Sequence, residues 1–511
     1  MASSLDTDEE PTQFAPKTLG NEWIGADDIS RTYSERPSNP SDEETGEEKT
    51  PKQSHVELSR TPTTKSLPNS HGFFSRKLAK ERRILVLTFL KNWAIMVTCL
   101  LLIFSIYWGA LYERASHYKN VRMLLVVEDV EVDGIPPLIG QTAIDVAKDP
   151  LMVINSDFHI YSGAEFQAAY DKNDNQPFNA TQEINHLIHH QHYWVAVYVK
   201  ANTTYSLYQA LKTANTSFDP TADTDISVDA IYETGRDALA MNSSVLPLLQ
   251  YYQYLFNPTI LAEQVYAPII TNNLTNDERS NLINTAPQLI SNVPSVRLVD
   301  NLPITNTTLL APCQVGMIFL IILTFFQFNF FAPVHQIIAP RIRKQHFVIY
   351  RMVSAQLSYF VISLAYCWVS LAFQVDFSVT FGNAGFLVYW MTSFLTMSAV
   401  GGANENMALF IIPFYAPLIG FWLIFWVISN ISSAFFALAV LPDFYRYGYF
   451  YPLHNAAELF KVIFNNSYKG EMGRNYGVLI AWIAVNNAIL PFALKSFGTK
   501  MAAKAAAAQK K

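Results

Sequence analysis

The chain has 511 residues; half are hydrophobic, 14% are aromatic and only 15% are charged, well below the roughly 25% charged content of soluble domains. That balance points to a membrane protein. The formal net charge of −6 is concentrated at one end: residues 1–70 hold fourteen acidic and seven basic side chains. The remainder is near neutral and lacks the basic face that nucleic-acid binding requires, so no nucleic-acid partner is expected.

Residues 1–75 are rich in Pro, Ser, Thr and Glu and poor in large apolar side chains. Such a segment cannot bury enough surface to offset chain entropy, which predicts a disordered acidic cytosolic tail. Its polar opening predicts no cleavable signal peptide. The stretches SRTPTTKS (Ser59–Ser66) and EEKTP (Glu47–Pro51) are candidate phosphorylation sites; a plain solvated tail is the simpler reading. Residues 76–91 are a basic juxtamembrane segment carrying Arg76, Lys77, Lys80, Arg82, Arg83 and Lys91, suited to setting orientation and to meeting anionic lipid headgroups.

A membrane-spanning helix needs about 20 largely apolar residues. Six segments qualify: 92–112, 312–338, 352–373, 384–402, 409–441 and 476–494. The fifth is too long for one straight span, so Pro413 and Pro417 are expected to bend it or delay its start. With six crossings, the clusters Arg76–Lys91, Arg341–Arg351 and the Lys/Ala-rich segment 495–511 all fall on one side. Both termini are then cytosolic in a multi-pass protein. The loop 442–475 carries Arg446, Lys461, Lys469 and Arg474 yet falls outside, against that trend. Its amphipathic stretch NAAELFKVIFNN reads either as an interfacial or re-entrant element or as a plain surface helix.

The segment 113–311 is then extracytoplasmic. It holds six N-x-S/T sequons, at Asn179, Asn202, Asn215, Asn242, Asn273 and Asn306, and Asn465 is a seventh candidate for N-glycosylation. The runs VRMLLVVEDVEVD, YWVAVYVKA and SVRLVDN read as strands. GAEFQAAYDK, TQEINHLIHH and the stretch from PLLQYYQYLF onward read as helices, so an α/β domain is expected. Cys99, Cys313 and Cys367 lie in or beside apolar segments, which excludes a disulfide framework for this domain.

No phosphate-binding G-x-x-x-x-G-K-[ST] loop, H-E-x-x-H or G-x-S-x-G motif occurs. Neither an enzyme nor a bound cofactor is expected. The expected spans are almost free of charge, with His335 and Lys495 near their ends, placed to sit at the interface. Uncharged polar residues remain within them: Gln327, Asn329, Gln356, Asn430, Asn486 and Asn487. These form either interhelical hydrogen bonds or a polar seam for headgroups or drug. AVGGANENMA (Ala399–Ala408) predicts a break at the inner end of the fourth span, or small residues that permit close packing. Four histidines crowd INHLIHHQHYW: His186, His189, His190 and His192. The first three share one helix face, the spacing of a weak metal site, but no glutamate separates His186 from His190. At the end of an outer-domain helix, surface histidines that suit the helix dipole are the alternative.

One span, a large outer domain and then five spans is the plan of ABC-2-type permeases. YWGALYERASHYKNVRMLLVVEDVEVDG, APCQVGMIFLIILTFFQFNFF, VLPDFYRYGYFYPLHNAAELFKVIF and GRNYGVLIAWIAVNN narrow the likeness. In these stretches the chain resembles the fungal nitrosoguanidine-resistance membrane proteins. The resemblance implies a polytopic protein that protects cells against nitrosoguanidine-like or hydrophobic toxic compounds, and a link to plasma-membrane lipid asymmetry that makes the plasma membrane the expected location. It also implies membrane lipids and a hydrophobic small molecule as partners, and pairing into a homodimer. The function expected is therefore export, or altered lipid organisation. The alternative is a non-transporting scaffold or regulator that binds a partner through its outer domain or acidic tail.

Overall fold

Runs of Leu, Ile, Phe and Val without turn residues fold into long helices because a bilayer leaves the backbone no partner but itself. A computed structural model describes residues 73–171, 177–221, 226–304 and 306–509; the candidate phosphorylation sites lie outside the described residues. Helix α1 is Ala79–Leu111. Helices α2 (Leu138–Ala147), α3 (Gly163–Tyr170), α4 (Ala180–His189) and α5 (Thr203–Thr213) belong to the inserted domain, with shorter helices and the segments Leu246–Leu255 and Asn276–Thr285. The bundle follows: α6 (Gly316–Ile338), α7 (Lys344–Ala372), α8 (Gly385–Tyr415), α9 (Leu418–Ala434), α10 (Pro452–Asn465) and α11 (Met472–Gln509). Among the described residues five helical segments, those holding α1, α6, α7, α8 and α11, are long and apolar enough to cross a membrane. The chain is thus a mostly helical, multi-pass membrane protein. Helix α9 is apolar but has only 17 residues, about 25 Å of rise.

The helix boundaries differ from the expected spans at several points, and α1 and α11 run well past theirs, to Ala79 and Gln509. The apolar run 409–441 divides, because 409–415 complete α8 and a turn at Ala416–Pro417 restarts the chain as α9. Pro417 sits at the cap of α9, where its missing N–H does no harm. No break occurs at Ala399–Ala408; α8 runs through it, since its polar side chains find partners on neighbouring helices. Helix α7 begins at Lys344, which brings Arg351 inside the bundle. Helix α10, read from sequence as interfacial or surface-lying, is largely buried. Leu453, Ala457, Phe460, Ile463 and Phe464 join the main apolar core of the bundle, and the opposite face meets the inserted domain.

That domain is α/β, built on a five-stranded mixed sheet in the order β2-β1-β3-β4-β5. Its strands are β1 (Arg122–Val127), β2 (Asp157–Ser162), β3 (Val195–Val199), β4 (Val228–Tyr232) and β5 (Val296–Asp300). Only β3 and β4 pair antiparallel; the other neighbours are parallel. Central strands covered on both faces read as unbroken apolar runs, which is why RMLLVV and VAVYV show little alternation. Met123, Leu125 and Val127 face one core with Val195, Val197 and Val199. Leu124 and Val126 face the other, with Ile184 and Ile188 of α4. Strands β2 and β4 escaped the sequence reading: β2 is a half-buried edge strand, and β4 carries Asp229 in mid-strand, neutralised by Arg297 at 2.8 Å and Lys200 at 3.3 Å.

Leu125 is fully buried at the centre of this sheet. Leu125→Ala should destabilise the domain by about 2–5 kcal/mol, read as a lower melting temperature of the detergent-solubilised protein. An unchanged melt would show that this sheet does not limit stability.

Candidate functional site

Helix α8 carries three consecutive polar residues, Asn404, Glu405 and Asn406, all buried. Successive helical residues point about 100° apart, so each addresses a different neighbour. Asn404 Nδ2 donates to the Ile321 carbonyl (3.3 Å) and to Thr324 Oγ1 (3.0 Å) of α6, and its Oδ1 accepts from Trp422 Nε1 of α9 at 3.0 Å. Glu405 pairs with Arg351 of α7: Nε lies 3.0 Å from Oε1, and Nη2 donates to the same oxygen. Asn406 Nδ2 donates to the Asn486 carbonyl of α11 at 2.9 Å, and Asn486 Nδ2 returns a bond to the Ala399 carbonyl at 2.8 Å. The preceding glycines permit this approach. A Cβ on Gly401 would lie 2.5 Å from Tyr359 Cζ, and one on Gly402 would lie 2.7 Å from Asn486 Cβ.

The Arg351–Glu405 pair was missed in the sequence, where Arg351 counted as loop and Glu405 lay three residues past the expected span. Gly401, Gly402, Asn404 and Asn406 argued against a continuous helix there, so no local signal marked Glu405 as part of a span. Of the expected polar seam, Gln356, Asn486 and Asn487 come together with Tyr359 and Glu405 around a cavity of about 10 Å³. Gln327 is buried elsewhere on α6, and Asn329 bonds the Phe325 carbonyl of its own helix at 2.9 Å. Asn430 Oδ1 accepts from Leu453 N at 3.3 Å, at the start of α10. Lys495 is exposed. His335 is instead buried, with Nδ1 3.1 Å from the Tyr350 hydroxyl.

A second site lies where α10 meets the α/β domain, around a cleft of about 240 Å³. Lys461 of α10 bridges Asp237 and Glu458, each at 2.8 Å. Asn465 Nδ2 donates to the Gly235 carbonyl at 3.0 Å. Arg236 stacks 3.8 Å above Trp194 and donates to the Tyr193 and Gln191 carbonyls. Burial pushes Arg236 down to about 10. Burial alone would lower Lys461, but Asp237 and Glu458 hold it above its ordinary value. For Glu458 burial works upward, and Lys461 and His454 outweigh it to leave the carboxyl below its ordinary value. His454 Nδ1 donates to the Ser433 carbonyl at 3.0 Å, and burial keeps the imidazole below its usual pKa.

The histidine stretch forms part of the same junction. The rings of His186 and His190 lie 4.0 Å apart, and His190 packs 4.6 Å from Tyr468, in the loop after α10. His189 turns away to Glu233 at 3.0 Å, and His192 is exposed. The three therefore do not converge. Among the described residues no group of three or more His, Cys, Asp or Glu side chains is placed to hold a metal ion. Burial, and then the neighbouring histidines, lower the pKa of His190. Of the sequon residues, Asn179, Asn202, Asn215 and Asn242 are exposed, whereas Asn273, Asn306 and Asn465 are half-buried.

Comparison with known proteins adds two likenesses. The profile of a protein family of unknown function, DUF3533, matches residues 92–488. An uncharacterized endoplasmic reticulum membrane protein of Saccharomyces cerevisiae is 32% identical over 521 residues, covering the whole of both chains. No solved structure matches.

The junction should be pH-sensitive. His454 and His190 both have depressed pKa values in the folded protein, so their contribution to stability is complete above about pH 6.5 and is lost as pH falls below it. Glu458 adds a second loss that begins in the usual carboxylate range and continues as pH falls below it. Thermal melts of the purified protein should decline on acidification from neutral pH, and His454→Gln should flatten the first part of that decline. An identical slope in the variant would exclude His454 as a cause.

Proposed function

The chain belongs to the DUF3533 family of proteins of unknown function, and we propose that it works within the membrane on hydrophobic material. Its role in this reading is to confer resistance to nitrosoguanidine-like or other hydrophobic toxic compounds, by export or by altering lipid organisation and asymmetry. The observation that carries the reading is the buried Arg351–Glu405 pair within the polar hub of α8. Ionisable groups inside a membrane are costly and mark transport paths and switches. The α/β domain with its sequons is proposed to lie on the non-cytosolic side, with both termini cytosolic. The yeast relative's name supports an endoplasmic reticulum location as an alternative to the plasma membrane.

A second reading, a scaffold or regulator that moves nothing, draws support from the size of the bundle cavity. About 10 Å³ beside Glu405 holds roughly one water molecule and no lipid. The cleft at the domain junction, at about 240 Å³, offers a partner or ligand more room than the spans do.

Purified protein in liposomes separates the two readings. Movement of a labelled lipid or a hydrophobic alkylating compound without any partner supports the first and rejects the pure scaffold. In cells, deletion should change accumulation of such a compound or surface exposure of an aminophospholipid, and no change in either would contradict the first reading. Glycans that remain fully sensitive to endoglycosidase H would favour the endoplasmic reticulum, and resistant glycans the plasma membrane.

A further inference from the structure

We propose that Glu405 is a proton-binding site of the membrane bundle, and that its protonation releases Arg351 and loosens α7 from α8. The inference deepens the transport reading by adding a coupling ion, and its test does not require that transport occur.

Both nitrogens that Arg351 offers reach the same carboxylate oxygen, Oε1. A fork-to-fork pair would occupy both oxygens; here Glu405 Oε2 makes no hydrogen bond among the described residues. Two further polar atoms nearby are buried without a hydrogen-bonding protein partner, the Tyr359 hydroxyl and Asn406 Oδ1. Tyr359 is 1% exposed and Asn406 4%. Both residues line the small cavity with Glu405, Gln356 and Asn486. Its volume suits about one water molecule, and buried waters settle where two to four polar groups converge. A carboxylate and a tyrosine hydroxyl that line one water-sized cavity supply the parts of a short proton path. Hydronium delivers the proton through that water, an O–H bond forms at Oε2, and water is left behind. Nothing is oxidised or reduced.

Protonation removes the charge that holds Arg351 in the bundle. An unpaired guanidinium is poorly tolerated there, so Arg351 must move. It lies seven residues, about two turns, from the start of α7, within reach of the interface for a long side chain. The Phe328 ring of α6, 6.0 Å from the guanidinium, flanks it on the way. The titratable groups around Glu405 are few. Helix α7 presents Arg351 and Tyr359, α6 presents His335 held by Tyr350, and α11 presents only the amides of Asn486 and Asn487. The proton therefore has one carboxylate to bind at this place.

Full-length protein reconstituted in liposomes can be followed by infrared difference spectroscopy between alkaline and mildly acidic pH. The wild type should show the carbonyl band of a buried protonated carboxylic acid, absent from Glu405→Gln and retained in Glu458→Gln. Should Glu405→Gln fail to fold, the neutral pair Arg351→Gln with Glu405→Gln takes its place, with the same loss expected. Tyr359→Phe leaves the ion pair intact and should shift the midpoint of the band by about ten-fold in proton concentration. No pH-dependent band in the wild type, a band that survives removal of Glu405, or an unmoved midpoint in Tyr359→Phe would each overturn the proposal. A protein that moves no lipid or compound but shows the titration would refute the transport reading and leave the proton site standing.

Discussion

The bundle is organised by three adjacent side chains that must each leave α8 in a different direction. Hydrocarbon offers no water to a stranded amide or carboxylate, so Asn404, Glu405 and Asn406 fix α6 and α9, α7, and α11 around one helix. Apolar packing alone would leave those helices free to rotate, because lipid tails are as apolar as leucine. Placing the polar contacts at one level specifies both rotation and depth. The glycines just before them set the distances, since they let Tyr359 and Asn486 reach the backbone of α8.

The α/β domain is joined to that bundle through α10 rather than through the first span alone. Leu453, Phe460 and Phe464 anchor α10 in the apolar core, and Lys461 and Asn465 on its other face grip Asp237 and the Gly235 carbonyl. The chain after α9 adds to the joint: Val440 belongs to the domain's core, and Asn120 donates to the Ala439 carbonyl. Helix α1, by contrast, touches the bundle near its C-terminal end, where the Tyr445 hydroxyl donates to the Ile106 carbonyl at 2.6 Å, and again where Tyr415 reaches Asn92 at 3.4 Å. A shift of α10 would thus be felt at once in the bundle core and in the domain.

Much of this was legible in the sequence, where one physical rule governed a segment. Long apolar runs read as spans because the bilayer demands length and hydrophobicity together. Strands β1 and β3 read as strands because runs rich in Val and Leu bury both faces of a sheet, and the half-buried edge strand β5 read as one from its short Val-rich run. Strand β4 was hidden by Asp229, whose partners Lys200 and Arg297 are distant in sequence. The membrane polar hub was hidden for the same reason. A sequence window judges Glu405 by its neighbours in the chain, and the residue that neutralises it is 54 positions away. The histidines were legible as a helix end, but their contact with Tyr468 depends on tertiary structure.

A double-mutant cycle on Arg351→Met, Glu405→Met and the combined variant, read as thermal stability of the purified protein, tests most directly whether this pair organises the bundle. Each single change strands a buried charge and should destabilise strongly, by about 3–5 kcal/mol, while the double variant recovers most of that loss. Additive losses, or single variants as stable as the wild type, would mean that the two side chains do not meet inside the membrane.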